Sequence, residues 1–146
     1  MTSLPRRIWR YRIEEGQTTA FVVTFFAALI LLAGLVLDGG LALDAKLRAL
    51  NTAESAARAG AQAIDPGVFR RSGEVVLDPA RARAAARDYL TVTGHTGSVT
   101  VAGDRVTVTV RVTQPAQILR IAGIDSFHMS GTATATAQPG ITGPLP

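Results

Sequence analysis

The sequence predicts an α+β fold in which a long N-terminal helix, first transmembrane and then amphipathic, precedes a second helix packed on a small three-stranded antiparallel sheet. Three patterns predict it. Residues 18–37 carry no charge, and as a helix they are about 30 Å long, the thickness of a bilayer's hydrocarbon core. Apolar residues then recur at spacings of three and four, and after residue 97 they alternate with polar ones.

The flanks of the apolar stretch predict its orientation. Residues 1–17 contain four arginines with a tryptophan and a tyrosine among them, whereas the other flank opens on Asp38. By the positive-inside rule, this places the N-terminus in the cytoplasm and the C-terminal domain outside. Two alternatives are a cleaved signal peptide, whose apolar core is normally about 7 to 15 residues, and a buried core helix, which so small a domain could hardly enclose.

Residues 41–64, LALDAKLRALNTAESAARAGAQAI, predict an amphipathic continuation of the helix. If Gly39 and Gly40 do not break it, one helix of about 47 residues runs from residue 18 to residue 64, although each glycine costs about 1 kcal/mol relative to alanine. Its apolar face narrows from leucine to alanine and glycine, which lets partner helices or the sheet approach closely. The predicted packing face consists of Leu43, Leu47, Leu50, Ala53, Ala57, Gly60 and Ile64.

The chain after residue 64 predicts a short loop and a second helix. Asp65-Pro66-Gly67 ends the first helix, and residues 68–77 read as a loop with a turn at residues 70–73 and at most a short strand at 74–77. Asp78-Pro79 then begins the second helix, because Asp caps a helix and Pro fits its first position.

The remaining residues predict the sheet. Strands at 98–102 and 105–113 flank Gly103-Asp104, a two-residue hairpin signal, and a third strand covers 125–137. A short helix at 116–121, closed by Gly123, separates the second and third strands. Small residues on the third strand predict close packing of a helix on the sheet. The expected divisions are a cytoplasmic tail (1–17), a transmembrane helix (18–37), its amphipathic continuation (38–64), an extracytoplasmic α+β domain (65–137) and a disordered tail (138–146).

The residue types predict neither an enzyme nor a cofactor or metal site. The sequence has no cysteine, and its two histidines, His95 and His128, are not at a metal-ligand spacing. Asp38, Asp44 and Glu54 read as flank or surface charges. The net charge of +4 comes with scattered arginines and 5% aromatic residues, a pattern that does not favour nucleic-acid binding.

Gly16 marks a candidate processing site. A glycine between a short basic leader and an apolar helix resembles the site at which a membrane peptidase cuts type IV prepilins. Cleavage after Gly16 would leave Gln17 as the first residue. Prepilins usually carry glutamate at the fifth mature position, where this chain has Phe21. The alternative is a glycine that simply begins the helix.

The run EGQTTAFVVTFFAALILLAGLVLDGG, followed by LRALNTAESAARAGAQA, resembles the N-terminal segment of the TadE/TadG-like pilus-assembly family (tight adherence, Flp-type pili). The residues that match the family's alanine-rich helix are Leu50, Ala53, Ser55, Ala56, Ala57, Ala59 and Ala61, with Glu54 near its acidic position. The resemblance implies a pilin-like fold and a structural role as a minor pilin or assembly factor in the bacterial cell envelope. It also implies other pilus or secretion subunits as partners, in a hetero- or homo-oligomer, and no enzyme activity.

Two other classes of protein remain open from the residues alone. One is a membrane-anchored extracytoplasmic binding module unrelated to pili, and the other is a membrane-anchored enzyme. A concave pocket with perturbed carboxylates would favour either of these classes, whereas a flat domain with a long protruding helix would favour the structural role.

Overall fold

The computed structural model describes residues 11–138, with side chains from residue 18 onward. Residues 1–10 of the predicted cytoplasmic tail and residues 139–146 of the predicted C-terminal tail lie outside the described part. The fold is α+β, as the sequence predicts. In chain order, its elements are helix α1 (Tyr11–Ala61), helix α2 (Pro66–Ser72), helix α3 (Pro79–Val92), strand β1 (Thr96–Ala102), strand β2 (Arg105–Pro115), a 3-10 helix (Leu119–Ala122) and strand β3 (Ser126–Thr136).

Helix α1 is a single α-helix of 51 residues. It continues through Gly39 and Gly40, where an added Cβ would have no neighbour within 4 Å. The two glycines do not break the helix, and the space beside each of them is open.

The chain forms two compact units. Among the described residues, the first comprises those up to Gly39 together with the connection between β2 and β3, Ala116–Asp125. The second comprises Gly40–Pro115 and Ser126–Gln138. We refer to Ala116–Asp125 as the β2–β3 loop. It belongs to the same unit as the apolar part of α1.

Helix α2 corrects the prediction of a loop with a turn at residues 70–73. Asp65 accepts hydrogen bonds from the backbone N–H groups of Gly67 and Val68, Pro66 takes the first turn, and Gly73 ends the helix with a φ of +70°. The Asp-Pro pair that ends α1 thus also caps the next helix, by the same chemistry as Asp78-Pro79 before α3. The predicted strand at 74–77 is a single bridge between Ile64 and Leu77.

The sheet is antiparallel in the order β1-β2-β3; β1 and β2 are each slightly longer than predicted, and β3 is slightly shorter. The hairpin between β1 and β2 turns at Gly103, whose φ is +60°. On β3, a Cβ on Gly131 would collide with the backbone of Ala49 and Leu50, which confirms the predicted close packing of a helix on the sheet. The core joins small residues of α1 and α3 to the buried face of β2; it includes Ala49, Ala53, Ala57, Ala82, Ala86, Leu90, Val106, Val108 and Val110.

Candidate functional site

The first half of α1 is long and apolar enough to cross a membrane, and only 6% of its most apolar window is buried within the protein. Its large side chains lie open, including Phe21, Phe26 and Val36. A helix that serves as the core of a water-soluble domain would bury most of these groups. The exposure therefore fits a single-pass membrane anchor and does not fit the alternative of a buried core helix.

The β2–β3 loop is a compact structure with its own hydrogen bonds. The N–H of Ala116 donates to the carbonyl of Asp125 at 3.0 Å and closes the loop at its base. Inside it, the 3-10 helix Leu119–Ala122 ends at Gly123, whose φ of +88° is the left-handed conformation that glycine adopts without strain. The N–H of Ile124 donates back to the carbonyl of Leu119 at 3.1 Å. These hydrogen bonds lie within the loop itself and do not involve α1.

Asp38 joins this loop to α1. One carboxylate oxygen, Oδ1, accepts a hydrogen bond from the N–H of Gln117 at 2.9 Å. The other, Oδ2, accepts from the N–H groups of Ile118 at 3.0 Å and Leu119 at 2.8 Å. These N–H groups lie at the start of the 3-10 helix, where amides have no partner within the helix. Asp38 therefore acts as a helix cap supplied from elsewhere in the chain.

Asp38 is 1% exposed, which corrects its interpretation as a flank charge. The three ion pairs found among residues 18–138 do not include it. The hydrogen bond from the Leu119 amide, and with it those from Gln117 and Ile118, lowers the pKa of Asp38 although burial acts in the opposite direction. The carboxylate is thus held ionised by backbone amides and not by a basic side chain.

Gly34 lies one helical turn before Asp38, on the same face of α1. A Cβ at Gly34 would lie 2.6 Å from Cγ2 of Ile118 and 3.6 Å from Cδ2 of Leu119. A small residue at such a position of an apolar helix can serve as a contact for another membrane helix. Its place is taken by the protein's own loop, while Ala28 and Ala33 are exposed.

The predicted packing face of α1 divides into two groups in the structure. Ala53, Ala57 and Gly60 are buried, and a Cβ on Gly60 would crowd the carbonyl of Ala82 and a methyl of Val106. Leu50 and Ile64 are half-buried. In contrast, Leu43 is 58% exposed and Leu47 is 51% exposed. The structure thus brings the small residues against the second unit's own core and leaves the two leucines available.

Gly16 and Gln17, the predicted processing site, lie within α1 in the part whose side chains the structure does not describe. Cleavage there stays a prediction. Phe21, which occupies the usual place of a glutamate, is 70% exposed and stacks on Phe25 with ring centroids 6.2 Å apart. This position therefore offers an aromatic surface and no carboxylate.

The other candidate groups do not converge. His128 is exposed, with its Nδ1 3.0 Å from the hydroxyl of Thr113, and the Nδ1 of His95 is buried without a hydrogen-bond partner. Residues 18–138 contain no group of three His, Asp or Glu side chains that could hold a metal ion. A groove of about 480 Å³ has Arg81 as its charged side chain, and another of about 420 Å³ has the paired Glu54 and Arg58.

These features define a class of protein: one helix apolar enough to anchor in a membrane, followed by a small α+β unit. Within that class, residues 16–63 match the model of a family described as "Putative Flp pilus-assembly TadE/G-like". The match confirms the resemblance over the segment that carries the apolar stretch, Asp38 and the alanine-rich continuation. It indicates a role related to pilus assembly. Neither the curated proteins nor the solved structures include a match to this chain.

The sequence alone did not identify Asp38 and the β2–β3 loop as a site. One signal was present: the loop sequence AQILRIAGID contains four large aliphatic residues, which is unusual for a connection expected to face water.

Proposed function

We propose that this protein is a membrane-anchored structural component of a Tad/Flp-type pilus or a related secretion assembly, and that it acts as a minor pilin or an assembly factor. The family match over residues 16–63 is the observation that carries this proposal. We further propose that the N-terminus is cytoplasmic and the C-terminal unit is extracytoplasmic. The four arginines of residues 1–17 support that orientation.

The mechanism we propose is lateral packing. Inside the bilayer, the exposed apolar side chains of α1 contact lipid and the membrane helices of partner subunits. Beyond the apolar stretch, Leu43 and Leu47 stand one turn apart on the same face, each about half exposed. An exposed leucine pair beside Lys46 and Arg48 is a surface that a partner helix can cover. The partners are other subunits of the same assembly, in a hetero- or homo-oligomer.

Phe21 favours an assembly factor over a filament subunit. In pilins, a glutamate at this position can pair with the N-terminal amine of the neighbouring subunit, and an unpaired charge in lipid is costly. Phe21 supplies no such pair and instead stacks on Phe25. The chain thus resembles a pilin in its N-terminal sequence but lacks the glutamate that pairs with the neighbouring subunit in a filament.

Deletion of the gene in its host, followed by complementation, tests the proposal. We expect the deletion strain to lose Flp-type surface pili in electron micrographs, and the complemented strain to regain them. Mass spectrometry of the protein from sheared pili and from membranes then separates the two roles. A filament subunit would be found in the pili with Gln17 first, whereas an assembly factor would stay in the membrane fraction. Normal piliation of the deletion strain would favour the binding-module alternative.

Variants of the exposed leucines test the lateral surface within the same strain. Leu43→Asn combined with Leu47→Asn removes the apolar surface at positions that the protein's own core does not use. Val92→Asn is the matched control, because Val92 is also apolar and exposed but lies on α3. We expect the leucine double variant to complement piliation poorly at normal protein levels, and the control to complement fully.

A further inference from the structure

Two isoleucines of the β2–β3 loop are exposed although the loop has a well-formed structure. Ile121, in the 3-10 helix, is 82% exposed, and Ile124 is 42% exposed. The loop has two other large apolar residues, Ile118 and Leu119, and these face α1 at Gly34. The loop is therefore apolar both on the side that contacts α1 and on the side that faces away. A loop in water normally exposes polar groups instead.

The position of the loop along α1 suggests what covers this second apolar side. Ile118 contacts Gly34, which lies inside the uncharged stretch of residues 18–37. Gly34 precedes the end of that stretch by three residues, or about 4.5 Å along the helix axis. Segments that bind a membrane surface bury their apolar side to about 5–10 Å. A loop that packs on α1 at this level meets the same lipid that surrounds α1.

The backbone of the loop is suited to lipid. An amide that lacks a hydrogen bond is costly in hydrocarbon, so non-helical segments at membrane depth need internal partners. Asp38 accepts from three loop amides. Those of Ala116, Ile121, Gly123 and Ile124 donate to carbonyls of the loop itself. Arg120 is exposed beside Ile121, and a long basic side chain can reach the lipid phosphates from such a position.

We propose that the β2–β3 loop is a second membrane-inserted element, which places Ile121 and Ile124 in the phospholipid leaflet where α1 leaves the bilayer. The supporting observation is that the loop packs on Gly34, within the apolar stretch of α1. The exposed apolar side of the loop thus extends the lipid-facing surface of α1. The proposal rests on the membrane-anchoring part of the proposed function and is independent of the role in pilus assembly.

Site-specific labelling in vesicles tests the proposal. The chain has no cysteine, so single variants accept one fluorescent label each. We would reconstitute the full chain in vesicles of phosphatidylethanolamine and phosphatidylglycerol, with the label at Ile121→Cys, Leu29→Cys or Val92→Cys. Leu29 reports on the anchor. Val92, at the end of α3, is 86% exposed and matches Ile121 in exposure and apolar character.

Quenching by spin-labelled lipids gives the result. We expect strong quenching at positions 29 and 121, several-fold above that at position 92, and the reverse order with a water-soluble quencher. Addition of Asp38→Asn to the Ile121→Cys chain should reduce lipid quenching at 121 and leave position 29 unchanged. Quenching at 29 without quenching at 121, or equal quenching at 121 and 92, would overturn the loop proposal while the anchor stands. A lack of lipid quenching at 29 would overturn the anchor itself.

Discussion

Helix α1 takes part in two kinds of packing, and the contrast between them shows how the surroundings select the chemistry. In the second unit, Ala49, Ala53 and Ala57 pack against the valines of β2 in a core without polar side chains. In the first unit, a loop is held on the same helix by Asp38 and three backbone amides, with Gly34 providing space. Both use small residues for close approach, but only the first unit adds a charged group. We call the Asp38 carboxylate with its hydrogen bonds from the Gln117, Ile118 and Leu119 amides the Asp38 clasp.

The difference follows from the solvent. Burial of apolar surface from water stabilises the second unit, at about 25 cal/mol per Å². An apolar loop at the edge of a bilayer gains little from leaving lipid for an apolar helix, because the two surroundings are alike. Directional hydrogen bonds must then hold it, and a carboxylate that accepts from amides is among the stronger kinds.

The largest effect is expected from overpacking the core of the second unit. Gly131→Val would drive a branched side chain into the backbone of α1 at Ala49 and Leu50. We expect a loss of about 3 kcal/mol in the free energy of unfolding, measured by circular dichroism of the full chain in detergent. Gly39→Ala is the control, because its Cβ meets nothing within 4 Å. It should stabilise the helix by about 1 kcal/mol. Equal stability of the two variants would contradict the close packing.

Removal of the clasp should release the loop and spare the core. Asp38→Ala leaves the amides of Gln117, Ile118 and Leu119 without an acceptor, so we expect their protection from hydrogen exchange to be lost. Asp38→Asn keeps one acceptor oxygen and should retain part of that protection. The amides of Val106 and Val108 in β2 serve as the internal reference and should keep their protection. Loss of protection in both regions would show that the two attachments are not separable.

A smaller effect is expected from filling the space at Gly34. Gly34→Ala places a methyl group against Ile118, while alanine also favours the helix. We expect faster exchange of the Ile118 and Leu119 amides. Ile118→Ala in the same chain should restore slow exchange, because it removes the colliding methyl group. A double-mutant cycle therefore isolates this contact, and additive effects of the two changes would argue against it.

The smallest effect is expected from acid. The amide hydrogen bonds lower the pKa of Asp38 below its ordinary value of 3.8, so the clasp contributes stability above that pH. This contribution is lost only as the pH falls through the lowered pKa. Protection of the Gln117–Leu119 amides should thus stay constant through mild acid and decrease below pH 3.8. The Asp38→Asn variant should show no such decrease, and the same acid transition in that variant would assign the effect to another group.

The sequence was sufficient for the elements whose signals are local. The charge-free stretch, the valine alternation of β2 and the Gly103 turn each depend on neighbours a few residues away. The packing face of α1 was harder to predict, because hydrophobicity alone favours Leu43 and Leu47 over alanine as core residues. The sheet approaches so closely at Gly131 that only small residues fit beneath it. Leu43 and Leu47 are accordingly left outside the core of the second unit, exposed on the surface of α1.

Asp38 could not have been predicted in the same way. Its partners lie 79 to 81 residues away in the chain. They are backbone amides, which every residue except proline carries, so no residue type marks them. Helix α2 differs from the predicted loop for another reason. The pair Asp65-Pro66 marks the end of one helix, but the same pair is also a common start of another.

The separation of Asp38 from its partners also constrains the order of assembly. To form the clasp in an unfolded chain would mean closing a loop of about 80 residues, with the entropy cost that such a closure carries. Packing of the folded sheet on α1 first, at Gly131 against Ala49 and Leu50, would leave a much shorter stretch of chain to close. The clasp should therefore close late, after the sheet has folded. A chain whose sheet has not yet formed would therefore carry an exposed, uncapped aspartate directly after its apolar stretch.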